Sequence, residues 1–139
     1  MADQPTLYSP ALLTHARAPQ HAGRLPAPTH TATVDNPLCG DRVTLHLRLD
    51  QGQIAAVAHK TRGCALCIAS ASVMAAQLAG MTAADGHAAV RSALDTLAPE
   101  GDLAAHSHLA LFVGLRAAPA RARCVALPWQ ALAAALEET

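Results

Sequence analysis

The sequence predicts an α+β fold: a small antiparallel sheet of about three strands packed against several helices. Two patterns carry that expectation. Val43, Leu45, Leu47 and Leu49 alternate with Thr44, His46, Arg48 and Asp50, the period of a strand with one buried and one wet face. After Gly63 the period changes, and Ala65, Ile68, Ala69, Ser72, Val73 and Ala76 recur at helical spacing. A chain of 139 residues fits one domain and can bury a core without disulfides.

Taken in order, Leu7, Ala11, Leu12 and Ala16 mark a short first helix, with Pro10 in its first turn and Pro19 ending it. Pro19, Gly23, Pro26 and Pro28 make an irregular connector. His30 to Val34 is a candidate strand, and the alternating strand follows it. Gln51-Gly52 turns the chain into a weaker arm from Gln53 to Thr61, so the strands end near Cys39 and Cys64. The helix after Gly63 stops at Gly80. Thr82 caps the next helix, which carries Val90, Leu94 and Leu97 and closes at Pro99-Glu100-Gly101. A third helical segment spans about Asp102 to Phe112, and Gly114 to Ala120 reads as a loop. Arg123 to Glu138 reads as the last helix, in which Pro128 is tolerable only if the regular helix starts close to it.

Hydrophobic residues make up 52% of the chain and charged ones 14%, but alanine dominates the apolar share and no run is long enough to span a bilayer. Ten acids balance ten bases, so nothing marks the chain for nucleic acid or an anionic membrane. Met1 to Thr6 show no basic region followed by an apolar one, and the expectation is a soluble, cytoplasmic protein. In a reducing compartment four cysteines point to metal ligands or reactive thiols more than to disulfides.

The chemistry concentrates in three stretches. In Asn36-Pro37-Leu38-Cys39-Gly40-Asp41 a thiol and a carboxylate sit two apart around a glycine that relaxes the backbone between them. Cys64 and Cys124, each near a predicted helix start, can complete a four-ligand metal site with Cys39 and Asp41. At a helix N-terminus, unpaired N–H groups and the helix dipole favour a thiolate. Structural zinc sites are normally closed by cysteine and histidine, so a carboxylate in the set points to a labile site. Any one of these cysteines alone is more often a small buried hydrophobe than a ligand, and it is the combination that points to a metal. Cys67, three residues after Cys64, has three readings: a buried helix residue or neighbour of the ligands, a fourth thiolate displacing Asp41, or one half of a redox pair. His106 and His108, two apart on a helix, point to different faces and read as surface residues. Trp129 reads as packing.

These motifs also carry a resemblance. Residues 36–41 (NPLCGD), 63–74 (GCALCIASASVM) and 121–132 (RARCVALPWQAL), with the opening Leu7-Tyr8 and residues 17–24 (RAPQHAGR), are similar to the U-type iron–sulfur cluster assembly proteins, the family of IscU, SufU and the NifU N-terminal domain. The likeness runs from about Leu7 to about Leu136. It departs from IscU at Arg123, where IscU-type proteins carry histidine before the third cysteine, and in lacking a Leu-Pro-Pro-Val-Lys segment. The sixty positions from Cys64 to Cys124 resemble the SufU branch.

The resemblance implies one SufU-type domain over residues 1–139, with residues 1–28 as a mobile helix and arm. It implies zinc held by Cys39, Asp41, Cys64 and Cys124. Apart from the resemblance, Cys67 is a candidate neighbour of the ligands, and Arg121 and Arg123, which flank Cys124, read either as neighbours that orient Asp41 or favour anionic sulfur or as surface arginines with no role. The partner the resemblance implies is a SufS-type cysteine desulfurase that carries its own pyridoxal phosphate. Cys39 is then the sulfurtransferase-like acceptor: zinc quenches its nucleophilicity until docking supplies a replacement ligand. The sulfur passes on to a downstream cluster assembly complex. An alternative is that the same ligands hold iron or a transient iron–sulfur cluster, which a carboxylate makes easier to release. A purely structural metal stays open beside both.

Overall fold

The computed structural model describes residues 7–38, 40–105 and 108–137. Three strands, β1 (His30–Asn36), β2 (Asp41–Asp50) and β3 (Gln53–Arg62), form an antiparallel sheet in the order β1-β2-β3. Helices α1 (Pro10–Arg17), α2 (Ala65–Leu78), α3 (Ala83–Leu97) and α4 (Ala122–Leu136) pack with it, α4 against β1 and β2, and α2 against β3. The expected α+β architecture is the one found.

The alternation in β2 works as its pattern demands. Val43, Leu45 and Leu47 are fully buried under the helices, while Arg42 and Thr44 face away from them. Gln51 and Gly52 take φ values of 52° and 79°, two left-handed residues whose twist suits a tight hairpin. The Thr82 hydroxyl caps α3 by accepting from the Asp85 N–H at 3.0 Å. The core joins Leu45, Leu47, Ile54, Met74, Trp129 and Leu132, all nearly or wholly inaccessible to solvent, and Trp129 packs as expected.

Two stretches differ from the sequence reading. Instead of an α-helix near 102–112 and a loop at 114–120, the described residues form 3₁₀ turns at Leu103–Ala105, Ala110–Ala117 and Pro119–Arg121. The reason is spacing by three: Leu109, Phe112 and Leu115 are buried, and only a helix with three residues per turn stacks them on one face. The last helix begins at Ala122, so Pro128 lies well inside it. Pro128 has no N–H to give the carbonyl four residues back, that of Cys124, and the ladder is interrupted just after the helix start. The Ser70 hydroxyl donates to the Val125 carbonyl at 2.5 Å, tying α2 to α4 beside that interruption. His106 lies outside the described residues. His108 is half-buried, its ring tilted against Trp129 with centroids 6.1 Å apart, not a solvated surface residue.

Before β1 the chain runs along the β3 edge. Gly23 N–H donates to the His59 carbonyl at 2.9 Å, and His59 N–H donates to the His21 carbonyl at 3.0 Å. Among the described residues, no helix is long and apolar enough to cross a membrane.

Candidate metal centre

At one end of the sheet three elements converge. Asp41 opens β2 and pairs with Asn36, the last residue of β1. Between them the chain turns tightly. Leu38 N–H donates to Asn36 Oδ1 at 3.2 Å, Gly40 N–H donates to the Asn36 carbonyl at 2.8 Å, and Gly40 takes φ 72°, which a side chain would strain. Cys64 is the N-cap of α2. Cys124 lies in the first turn of α4. A carboxylate oxygen of Asp41 and the sulfurs of Cys64 and Cys124 all lie within 4.8 Å of one another, around a concavity also lined by Gly40, Gly63 and Arg121. Cys39 lies outside the described residues.

The surroundings fit a cation. Asp41 is 3% exposed and its Oδ2 is buried without a hydrogen-bond partner among the described residues, an expensive state for a carboxylate unless something positive completes it. Gly63 holds that carboxylate close: a Cβ there would stand 2.6 Å from Asp41 Oδ1. Burial first, then Cys64 and Asp41, push the Cys124 thiol up to about 12, so it stays protonated at neutral pH unless a cation draws the proton off. Two soft sulfurs and one hard oxygen suit zinc or iron better than magnesium or calcium.

The two arginines beside Cys124 part company. Arg121 turns toward the centre: hydrogen bonds to Cys64 and then Cys124 raise its guanidinium above the usual arginine value. Its Nη2 also donates to Tyr8 Oη at 3.2 Å. Arg123 is exposed and lines a groove between α3 and α4 with Asn36, Pro37 and Leu97. Cys67 is fully buried in the hydrophobic core and is not among the residues whose ligand atoms converge. Cys64, Cys67 and Cys124 are all outside disulfides. The sequence reading did not place Tyr8 beside Arg121, and residues so far apart in the chain leave no local signal of such a contact. The two exposed large hydrophobic residues among those described are this Tyr8 and Leu38, the neighbour of Cys39.

Comparison with known proteins finds relatives along nearly the whole chain. The chain is 28% identical over 133 residues to the iron–sulfur cluster assembly scaffold protein IscU of Thermotoga maritima, covering 95% of this chain and 94% of that protein. It is 27% identical over 139 residues to the zinc-dependent sulfurtransferase SufU of Bacillus subtilis, covering 94% and 90%. Among solved structures, a NifU-like protein (N-terminal) from Brucella abortus superposes with a TM-score of 0.84 at 32% identity over 95% of this chain and 93% of that one. A SufU from Fervidobacterium islandicum superposes with a TM-score of 0.85 at 27% identity over 94% and 96%. The NifU-like N terminal domain matches residues 7–138, and the chain belongs to that family.

Proposed function

We propose that this chain serves iron–sulfur cluster assembly as a zinc-dependent acceptor of persulfide sulfur from a cysteine desulfurase, relaying it to the assembly machinery. The observation that carries the reading is the buried Asp41 Oδ2, without a hydrogen-bond partner among the described residues, beside the sulfurs of Cys64 and Cys124. Structural zinc sites are normally closed by cysteine and histidine, so a carboxylate in the set favours a site that opens. The name of the B. subtilis relative, a zinc-dependent sulfurtransferase, supports the same choice.

Asp41, Cys64 and Cys124, with Cys39 two positions before Asp41 in the sequence, are the residues that would hold zinc. Bound there, zinc supplies positive charge that keeps thiols deprotonated at neutral pH. The Cys39 thiolate attacks the outer sulfur of the donor's cysteine persulfide. A new S–S bond forms on Cys39 and the donor cysteine leaves as thiolate, so no external oxidant or reductant is needed. Arg121, already against two of the sulfurs, lends positive charge to an anionic persulfide.

Metal and acid-labile sulfide content of anaerobically isolated protein tests this reading. Zinc near one per chain without sulfide, lost in Asp41→Ala, is expected. Incubation with a cysteine desulfurase and cysteine then adds one sulfur to Cys39, read by mass spectrometry, and Cys39→Ser stays folded but takes none. Iron with sulfide, held more firmly in Asp41→Ala, would replace this reading with that of a cluster scaffold, the role named for the T. maritima relative.

A further inference from the structure

The face of the sheet turned away from the helices carries a compact cationic patch. Arg42 on β2 and Arg62 on β3 are direct cross-strand partners, and Thr44 pairs with Lys60 on the same face. These four side chains line a shallow concavity of about 240 Å³. Like charges placed directly opposite each other weaken a sheet, so the arrangement does not serve the fold. Relief is partial: Asp35, opposite Arg42 on β1, takes Arg42 Nε at 2.6 Å, and this is the one ion pair among the described residues. Among the described residues Lys60 and Arg62 have no ion pair, in a chain whose formal net charge is zero.

Position gives the patch its meaning. Arg42 follows Asp41 directly and Arg62 lies two residues before Cys64, a Cα separation of at most about 7 Å. A protein interface of ordinary size covers about 800 Å² per partner, a disc of roughly 16 Å radius. A protein seated over the Asp41, Cys64 and Cys124 end of the sheet that wraps its edge therefore reaches these side chains too. If its facing surface were neutral or basic, the contact would strip water from two unpaired cations with nothing in return.

We propose that the protein handing sulfur to this centre docks through an acidic surface, its carboxylates meeting Arg42, Lys60 and Arg62 on the open face of the sheet. The inference rests on the sulfur-acceptor reading and names the chemistry of its partner. Charge complementarity of this kind sets encounter rate, orientation and salt dependence more than it sets the chemical step.

The test compares the zinc-loaded full chain with Lys60→Glu/Arg62→Glu against a cysteine desulfurase. Affinity is measured by titration calorimetry at low and high salt, and sulfur transfer in a single turnover at saturating partner. The double variant is expected to bind about tenfold more weakly at low salt and to lose most of the wild-type salt dependence, with its saturated transfer rate and zinc content unchanged. Lys60→Gln/Arg62→Gln is expected to fall between the two, and Arg91→Glu, exposed on α3, to bind as wild type does. Wild-type affinity and salt dependence in both double variants would overturn the docking proposal and leave the acceptor reading standing. A wild-type chain that neither binds the desulfurase nor takes sulfur would overturn both.

Discussion

Two buried polar residues sit at different places on the same sheet, and the protein treats them oppositely. His59 on β3 is 1% exposed. The Gln20 carbonyl can only accept, so His59 Nε2 donates to it at 2.9 Å. That leaves Nδ1 of the neutral ring to accept from the Thr61 hydroxyl, also at 2.9 Å. Gln20 is itself held, its N–H donating to Ser72 Oγ at 2.8 Å, and His15 Nδ1 meets the same hydroxyl at 2.7 Å. Asp41 is buried about as deeply, yet one oxygen has no partner among the described residues. A buried polar group satisfied by its own chain is part of the fold, while one left open at a point where two thiols converge is waiting for a ligand.

The sharpest way to break that contrast is Asp41→Ala. Removing the carboxylate is expected to cost about 4 kcal/mol of zinc binding, close to a thousandfold in affinity, measured by competition with a chelator. The metal-free variant is expected to unfold at the same temperature as metal-free wild type or higher, because an unsatisfied buried carboxylate has been taken away. A clear loss of metal-free stability would show that Asp41 is structural in the way His59 is.

His59→Ala is the mirror experiment. It leaves the Gln20 carbonyl and the Thr61 hydroxyl without their ring partner and opens a void, which together cost about 2–3 kcal/mol of folding stability. Zinc affinity is expected to stay within about twofold of wild type, because none of these groups touches the centre. Denaturant unfolding and the chelator competition read the two effects separately.

Gly63→Ala probes the same contrast with a single carbon. Gly63 has no left-handed φ to protect, so the added Cβ acts through its 2.6 Å approach to Asp41 Oδ1. Displacing that carboxylate is expected to weaken zinc binding about tenfold, near 1.4 kcal/mol. In the Asp41→Ala background the same change is expected to do little, a coupling that a double-mutant cycle measures.

The two regions were unequally legible in the sequence. Around Asp41 the signals are local. The alternation from Val43 to Leu49 sets β2, the change of period after Gly63 sets α2, and Cys64 and Cys124 fall at the helix starts where they were expected. Even there the choice between Arg121 and Arg123 was hidden, because it depends on the 3₁₀ turn Pro119–Arg121 that swings the chain into α4. That turn lies in a stretch that reads as a loop, and the turns before it, Ala110–Ala117, were hidden because residues spaced by three mimic an amphipathic helix until packing decides. The surroundings of His59 were mostly hidden in the sequence. Thr61, two residues on, takes one ring nitrogen, but a threonine beside a histidine is no signal by itself. The partner of the other nitrogen is Gln20, held in turn by Ser72, and both are far away in the chain.

The smallest expected effect is a pH dependence belonging to His59 alone. Burial lowers its pKa from the ordinary 6.5, with His21 nearby lowering it further and the bond to the Gln20 carbonyl opposing both. Below about pH 6.5 the unfolded chain therefore takes up a proton that the folded chain refuses, so folding stability is complete above that pH. It declines as pH falls, until the folded-state value is reached. Other groups titrate in the same range, so the measurement is a difference: denaturant midpoints of wild type and His59→Gln between pH 8 and pH 5. Wild type is expected to lose stability faster than the variant below about pH 6.5, with the two curves parallel above it. Parallel curves throughout would mean that the ring is protonated as easily in the fold as out of it, and that its neutral, fully satisfied state is not what sets it apart from Asp41.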